Sequence, residues 1–302
     1  MDGGSGVGGG TSVKPGRLAI GVVGAGRVGA VLGAALRAAG HEVVGASGVS
    51  EDSASRIDAM LPDVPHLDPE AVVRAADLVL LTVPDDALGP LTDGLAKVGA
   101  WRAGQIAVHT SGRYGTEILE PAQAQGVLTL AIHPAMTFTG TSVDRARLTD
   151  AVFAVSAAAP VLPIAQALVV EMGGEPIEIA NVDRPLYHAA LVHAANHAVT
   201  AVAQGAAMLA RIGVEEPGRL LGPLVHASVE GALSEAPGAV STLTGPVVRA
   251  DVGTIEAHIA SLHDQPETLA AYRAMARATA DIALAGGRIG PAQYADIIAT
   301  LG

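Results

Sequence analysis

The fold is decided by the stretch LAIGVVGAGRVGAVLGAALRAAGHEVV, residues 18–44. An apolar run leads into the glycine-rich motif GAGRVG at residues 24–29, an alanine-rich segment follows, and a second β-branched run starts at Glu42. This is the order of a strand, a tight turn, a helix and a second strand. The glycines let the backbone approach a pyrophosphate, and the helix N-terminus offers it free N–H groups. The stretch therefore predicts a dinucleotide-binding Rossmann domain.

The composition narrows the class of protein. At 302 residues the chain is long enough for two domains, and 50% hydrophobic residues are ample for a core. A net charge of -12 with 2% aromatic residues argues against nucleic acid and anionic membranes as partners. The lack of cysteine excludes disulfides, thiolate metal sites and a cysteine nucleophile. We expect a cytoplasmic protein without a metal, and a disordered Gly/Ser-rich tail over residues 1–16.

The chain changes character near residue 182. Before it, β-branched runs alternate with alanine-rich segments, which predicts an α/β domain over residues 17–181, with a doubly wound, parallel sheet. The predicted strands are 18–23, 42–45, 78–83, 106–110, 128–132, 152–155 and 177–179. The predicted helices beyond the boundary are 184–212, 217–233, 253–262 and 266–285. Residues 182–302 are therefore predicted to form an all-α domain for substrate binding or dimerisation.

Two segments, 151–170 and 185–210, are long and uncharged. Prolines interrupt the first, and histidine, asparagine and glutamine side chains in the second would be costly to place in lipid. We therefore predict no membrane span.

The end of the second predicted strand bears on the choice between NAD and NADP. NAD sites place an acidic residue there to bind the ribose hydroxyls, whereas this chain has ASGVS at residues 46–50. This favours NADP, with NAD as the less favoured cofactor. The candidates for binding a 2′-phosphate are Ser47, Ser50, Arg27 and Arg56, and solvated loop polarity is the alternative interpretation of each.

Two later loops follow predicted strands and are expected at the same edge of the sheet, where such folds bind ligands. They begin at Pro84 and Thr110, and capping of the next helix is the alternative role for Asp85 and Asp86. The residues predicted to bind the cofactor are Gly24, Ala25, Gly26, Arg27, Val28, Gly29, Ser47, Ser50, Val83, Pro84, Asp85 and Ser111.

A histidine, His133, follows a further predicted strand and is expected at the ligand edge of the sheet. Because an unperturbed imidazole has a pKa near ~6.5, it can give a proton to the alkoxide formed when hydride reaches a carbonyl. The alternative is a histidine that only binds loop backbone.

The helix from residue 184 carries a polar stripe on an apolar background. At ~100° per residue its members point within about 60° of one direction, so they face a substrate, a partner or a structural network. His193 and His197 have metal-ligand spacing, but without a third ligand we predict no metal. The stripe consists of His193, Asn196, His197, Thr200 and Gln204.

A loop at residues 243–251 adds a candidate anion site. Thr244 and the Gly245 N–H are suited to a carboxylate or oxyanion, and Arg249 to a bidentate carboxylate pair. An ordinary turn with an Arg249–Asp251 pair is the other interpretation. His258 is a weaker candidate.

These motifs together resemble a family that pairs a Rossmann-like domain with a C-terminal helical domain of unknown function (DUF). The resemblance covers nearly the whole chain beyond the tail. It rests on residues 24–29, 109–112, His133-Pro134 with Phe138, Tyr187-His188, Asn196, residues 244–246, Arg249, Asp251 and His258. It implies a fold related to ketopantoate reductases, pyrroline-5-carboxylate reductases and 3-hydroxyacid dehydrogenases, with a helical domain similar to that of 6-phosphogluconate dehydrogenase. It also implies substrate binding between the domains and a homodimer.

The related hydroxyacid dehydrogenases carry a Lys-x-x-x-Asn helix motif. Asn196 is similar to that asparagine, but Val192 stands in the lysine position. The His133-Pro134 pair resembles the His-Pro-Met of prephenate dehydrogenases, although Ala135 precedes Met136 here.

The sequence as a whole predicts an NADPH-dependent reductase of a small 2-oxo acid, with ketopantoate as the leading candidate. His133 or His193 would donate the proton, Asn196 would hold the hydroxyl oxygen, and Thr244 with Arg249 would anchor the carboxylate. Two alternatives remain: a cyclic-imine reductase of the pyrroline-5-carboxylate type, and a non-catalytic NADP-binding sensor, to which Val192 points.

Overall fold

The computed structural model describes residues 16–234 and 242–302. By its internal contacts the chain forms two compact units, the first ending at His193 and the second running from Ala194 to Gly302. The described residues of the first unit form an α/β domain and those of the second form only helices, which confirms the predicted fold class. The predicted disordered tail lies outside the described residues except for Gly16.

The first unit contains a seven-stranded sheet in the order β2-β1-β3-β4-β5-β6-β7. Neighbouring strands are parallel except β5 and β6, so the prediction of a parallel sheet is wrong for that pair. Buried strands show similar apolar runs whichever way they point, and the sequence pattern therefore does not encode the reversal. The strands are Ala19–Val23 (β1), Glu42–Ser47 (β2), Leu78–Leu81 (β3), Ile106–His109 (β4), Leu128–Pro134 (β5), Val152–Ala157 (β6) and Glu175–Glu178 (β7).

Helices cover both faces of this sheet. Alternate residues of the central strands are buried on opposite faces; Ile20 and Val22 lie in one core cluster, and Val23 in the other. This is the doubly wound arrangement that the alternating sequence predicts. The helices of the first unit are Arg27–Ala38 (α1), Glu51–Met60 (α2), Pro69–Ala75 (α3), Asp85–Lys97 (α4), Glu120–Gln123 (α5), Ser142–Arg147 (α6), Leu162–Glu171 (α7) and Arg184–Leu191 (α8).

The second unit is built from five α-helices within the described residues. Its core packs α11, α12 and α13 around Ile255, Ala280 and Ile297, each fully buried. The helix α13 was not predicted. Asp264, two residues before α12, pairs with Arg211 at 2.5 Å. The helices are His197–Arg211 (α9), Pro217–Ser234 (α10), Val252–Ser261 (α11), Pro266–Ala285 (α12) and Pro291–Leu301 (α13).

The predicted helix over 184–212 is not continuous. Residues Val192–Asn196 form a π-helical turn between α8 and α9. Because a π turn holds more residues than an α turn, the ~100° spacing assumed for the polar stripe does not hold across it. Within the described ranges, none of the helices is long and apolar enough to cross a membrane.

Candidate functional site

A cavity of about 630 Å³ lies at the ligand edge of the first unit. It lies at the carboxyl ends of four adjacent strands, β2, β1, β3 and β4, where doubly wound sheets bind ligands. Of the residues predicted to bind the cofactor, those lining it are Gly24, Gly26, Val28, Ser47, Val83, Pro84, Asp85 and Ser111. Lining residues that were not predicted include Gly48, Val49, Ser53, Pro69, Thr82 and Thr110. The predicted residues outside the lining are Ala25, Arg27, Gly29 and Ser50.

The glycine loop between β1 and α1 is held from two sides. The backbone N–H groups of Gly24 and Ala25 donate to the Ser47 carbonyl oxygen of β2, at 3.0 and 2.7 Å. The Thr82 hydroxyl, just after β3, donates to the Gly24 carbonyl oxygen at 2.7 Å. Thr82 was not predicted from the sequence, because it lies 58 residues after Gly24 and comes close to it only in the folded chain.

The three glycines of the motif are needed for different reasons. Gly24 has a φ of +90°, a conformation that side chains rarely adopt. A Cβ on Gly29 would lie 2.2 Å from the Thr82 hydroxyl oxygen, so packing excludes one. Gly26 has a φ of −75°, and its nearest neighbour to an added Cβ is 3.9 Å away. Neither backbone conformation nor internal packing therefore requires glycine at 26.

Gly26 fits a ligand instead. It lines the cavity directly before α1, whose first N–H groups have no partner within the helix. A bare backbone at this point lets a phosphate reach those N–H groups, and the helix dipole favours the negative charge. The described residues therefore fit the pyrophosphate of a dinucleotide.

One end of the cavity is formed by the turn after β2. Ser47, Gly48, Val49 and Ser53 line it. Of the described lining residues only Asp85, the first residue of α4, is charged. Ser50 has another role, because its hydroxyl oxygen accepts the Ser53 N–H at 3.1 Å and caps α2. The ribose end of the cavity thus offers hydroxyl groups and no carboxylate.

The two arginines predicted to bind a phosphate, Arg27 and Arg56, meet at the loop after β5. A Cβ on Gly140 would lie 2.9 Å from Arg27 Cγ and 3.0 Å from Arg56 Nε. The loop is fixed by the buried carboxylate of Asp144, which accepts the N–H groups of Thr139 and Gly140 at 2.7 and 2.8 Å. The fold therefore brings Arg27, which stands between the lining residues Gly26 and Val28, and Arg56 against the same loop.

A cluster of three aromatic side chains lies next to the cavity wall, within the first unit. His133 Nδ1 is 2.8 Å from the Tyr187 hydroxyl oxygen, and the rings of His133 and His188 meet edge to face at 6.2 Å. A Cβ on Gly112 would lie 3.0 Å from His133 Nε2 and 2.6 Å from His188 Nδ1. Since Ser111 lines the cavity, the cluster begins one residue behind its wall.

Burial sets the protonation state of two members of this cluster, His133 and Tyr187. It lowers the pKa of His133 to about 4, with a further lowering from Arg184 and His188. The neutral imidazole therefore predominates at neutral pH, and the imidazolium expected from the unperturbed pKa is scarce. Burial also raises the pKa of Tyr187, so its hydroxyl stays protonated and can donate to His133 Nδ1.

His109, on β4, has a structural role. Its Nε2–H donates to the Gly115 carbonyl oxygen at 2.8 Å, and its Nδ1 accepts the Ser111 N–H at 3.2 Å. Burial lowers its pKa to about 4, so it is neutral and shapes the loop that lines the cavity.

The remaining predicted catalytic residues belong to other parts of the chain. His193 is in the π turn at the end of the first unit, and Asn196, Thr244 and Arg249 belong to the second unit. Thr244 and Arg249 are exposed, and Thr244 directly precedes Gly245, whose φ is +100°. Within the described ranges, Arg249 forms no ion pair and no group of three acidic or histidine residues has metal-binding geometry.

The loop around Arg249 contains two further contacts. The Asp251 carboxylate caps α11, accepting the Thr254 N–H at 3.1 Å and its hydroxyl at 2.7 Å. His258 Nδ1 is 3.0 Å from the Tyr272 hydroxyl oxygen. The predicted Arg249–Asp251 ion pair is therefore not formed.

Fold and cavity together define a two-part protein whose first unit has a Rossmann-type fold with a cavity at its ligand edge. Comparison with family models agrees: residues 4–134 match a Rossmann-like domain, and residues 151–279 match a domain of unknown function, DUF2520. The chain thus combines a Rossmann-like domain with a DUF2520 domain. A comparison with curated proteins gives no match.

Several solved structures share the fold at low sequence identity. A candidate NADP oxidoreductase from Bacteroides fragilis is 22% identical, with a TM-score of 0.74 over 88% of this chain and 98% of its own. An imine reductase from Pseudomonas sp. is 18% identical, with a TM-score of 0.63 over 91% and 100%. A pyrroline carboxylate reductase from Plasmodium falciparum, solved with NADP bound, is 12% identical, with a TM-score of 0.57 over 95% and 100%. These similarities establish a shared fold.

Proposed function

We propose that the protein is an NADPH-dependent reductase that acts on the carbonyl group of a small 2-oxo acid. One observation carries this proposal: the wall of the glycine-lined cavity continues from Ser111 into Gly112, which packs against His133 and His188. The proposed dinucleotide site and the proposed proton source therefore adjoin within one unit. When bound, NADPH supplies the hydride for the carbonyl carbon. The carbonyl oxygen takes the released electron pair and a proton.

Three features support NADP over NAD. The turn after β2 carries no acidic residue to bind the ribose hydroxyls, and Ser47 and Ser53 line the cavity there. Arg27, which stands between the lining residues Gly26 and Val28, and Arg56 both pack against Gly140. Among the structural neighbours, the Plasmodium falciparum protein was solved with NADP, and an imine reductase from Myxococcus stipitatus was solved with NADP+.

The proposed proton source is the pair formed by Tyr187 and His133. Tyr187 donates to His133 Nδ1, which leaves His133 Nε2 beside Gly112. His193 is the alternative donor, Asn196 is proposed to hold the hydroxyl oxygen, and Thr244 with Arg249 to anchor the substrate carboxylate.

A cyclic-imine reductase is the second candidate. The low pKa of His133 favours it, because an imine can enter already protonated and then needs no acid from the protein. The fold is also shared with imine and pyrroline carboxylate reductases.

A binding and turnover series tests the proposal. Titration of the protein with NADPH and NADH, followed by fluorescence, is expected to give tighter binding of NADPH. Cofactor oxidation is then followed with a panel of 2-oxo acids and cyclic imines, and turnover of a 2-oxo acid is the expected result. Turnover of imines alone would establish the second candidate. Tight NADPH binding without turnover of any compound would identify a sensor and contradict both.

We further propose that α9 and α10 form a homodimer interface. Of their described residues none is buried, although the only charged ones in the two helices are Arg211, Arg219 and Glu230. Such a large exposed apolar surface is typical of an interface.

Sedimentation of the wild-type chain is expected to give a dimer, and the double variant Leu220→Glu/Leu224→Glu a monomer. Met275→Glu is the matched control, since Met275 is similarly exposed at 56% but lies on α12. A monomeric wild-type protein would contradict the interface.

A further inference from the structure

Arg184 is a fully buried cation at the start of α8, inside the first unit. Its guanidinium joins three parts of the sheet edge. Nε donates to the Ser156 hydroxyl at 2.8 Å, and Nη2 to the carbonyl oxygens of Ala131 and Ala154 at 2.9 and 3.0 Å. Nη1 is 3.4 Å from the Ser111 carbonyl oxygen. All four of these acceptors are neutral.

This charge has no counter-ion among residues 16–234 and 242–302, since none of the ion pairs found there involves Arg184. Glu117 is the acidic group that acts on it, but Glu117 is exposed and accepts the Gly115 N–H. Burial lowers the pKa of Arg184 to about 10, so the guanidinium is still charged at neutral pH. Buried cations are usually paired, because an unpaired one is unfavourable.

The unpaired charge lies directly behind the His133 cluster. Ala154, which accepts from Arg184, is the cross-strand partner of His133. The Tyr187 ring centre is 5.9 Å from Arg184 Cζ. Ser111, whose carbonyl oxygen faces Arg184 Nη1, lines the cavity. Since the region is buried, water screens the field of this charge only weakly.

We propose that Arg184 makes the reacting site selective for neutral or anionic carbonyl substrates and unfavourable for cationic iminium substrates. The inference rests on the proposed reductase function and narrows its substrate class. The acidic and histidine groups around Arg184 are Glu117, His109, His133 and His188, and His109 and His133 are neutral at neutral pH. Glu117 is exposed and His188 is half-buried, so of these groups the Arg184 guanidinium is the one that is both fully buried and charged.

The charge favours one reaction over the other for a simple reason. In carbonyl reduction, hydride bonds to the carbonyl carbon, the C=O π pair moves onto oxygen, and that oxygen takes a proton from the Tyr187–His133 pair. NADPH becomes NADP+. Negative charge grows on the oxygen, and a nearby buried cation stabilises it. An iminium brings a positive nitrogen to the same place, where the cation repels it. Arg184 is not proposed to touch the substrate. Its charge acts on the reacting atoms through space, so it is a positioning residue and not a catalytic one.

Two matched probes test the selectivity. Cyclopentanone is neutral and N-methyl-1-pyrrolinium is a permanently charged iminium of similar size. With NADPH, the wild-type protein is expected to show a kcat/KM for the ketone at least ~10-fold above that for the iminium, and Arg184→Met to shift this ratio toward the iminium by ~10-fold or more. Arg184→Lys keeps the charge and should keep the preference. Ser156→Ala is the matched control, because it removes one hydrogen bond of Arg184 and leaves the charge.

A second readout needs no turnover. The pKa of His133, followed by NMR of histidine-labelled protein without cofactor and assigned with His133→Gln, should rise in Arg184→Met and stay low in Arg184→Lys. Removing a nearby positive charge makes protonation easier, so the pKa must rise. If Arg184 had only a structural role, Arg184→Met and Arg184→Lys would lose activity to the same extent. Neither variant would then change the preference between the ketone and the iminium.

The wild-type protein alone also decides the question if Arg184→Met does not fold. Equal or tighter binding of N-methyl-1-pyrrolinium than of cyclopentanone to the NADPH-bound protein would overturn the inference. If no compound is turned over, the reductase proposal fails, whereas these relative affinities still judge the charge selectivity.

Discussion

Gly26→Ala is expected to weaken NADPH binding by about 100-fold, or ~2.7 kcal/mol, without lowering stability. The added methyl group fits the protein itself, because its nearest neighbour is 3.9 Å away. It would instead occupy the space through which the pyrophosphate reaches the N-terminus of α1. Fluorescence titration gives the dissociation constant, and thermal unfolding gives the stability.

Two further glycine variants serve as comparisons for Gly26→Ala. Gly94→Ala, on α4, adds a methyl group with no neighbour within 4 Å and should bind NADPH as the wild type does. Gly29→Ala should lower stability as well as binding, because its Cβ collides with Thr82. Wild-type affinity in Gly26→Ala would show that no phosphate approaches this glycine.

Gly112→Ala is expected to reduce kcat by about 100-fold while leaving the affinity for NADPH unchanged. Its methyl group would lie 2.6 Å from His188 Nδ1 and 3.0 Å from His133 Nε2, so both rings must move. The glycine lies behind the wall of the cavity and not in its lining, which separates this effect from cofactor binding.

Steady-state kinetics and NADPH titration, made on one preparation below its unfolding temperature, measure both quantities. Overpacking of this kind costs ~1–3 kcal/mol of stability, and a thermal scan must show that the variant is folded. Gly94→Ala again serves as the control. Unchanged turnover in folded Gly112→Ala would remove His133 and His188 from the reaction.

The nucleotide end was predictable from the sequence because its information is local. The first strand, the glycine motif and the helix follow one another, and the structure places them at Ala19–Val23 and Arg27–Ala38 as expected. Gly40, with a φ of +101°, follows the first helix, and a glycine just past a helix end is also a local signal.

What the sequence missed depends on contacts between distant segments. Thr82, just after β3, contacts Gly24, just after the neighbouring strand β1. In the sequence Arg184 is an ordinary arginine at a helix start, and only the fold shows that it is buried. The lowered pKa of His133 has the same origin, since burial is its main cause. The π turn at Val192–Asn196 was missed because its residues are compatible with a regular α-helix.

The hydrogen bonds that hold the glycine loop have a thermodynamic consequence. Gly24 and Ala25 are tied to Ser47, and Gly24 to Thr82, by contacts within the protein alone. The loop is thus shaped before any nucleotide arrives, and a nucleotide that enters it loses little free energy to ordering the backbone. Pre-organisation of this kind makes affinity depend on the fit of the phosphates and not on folding of the site around them.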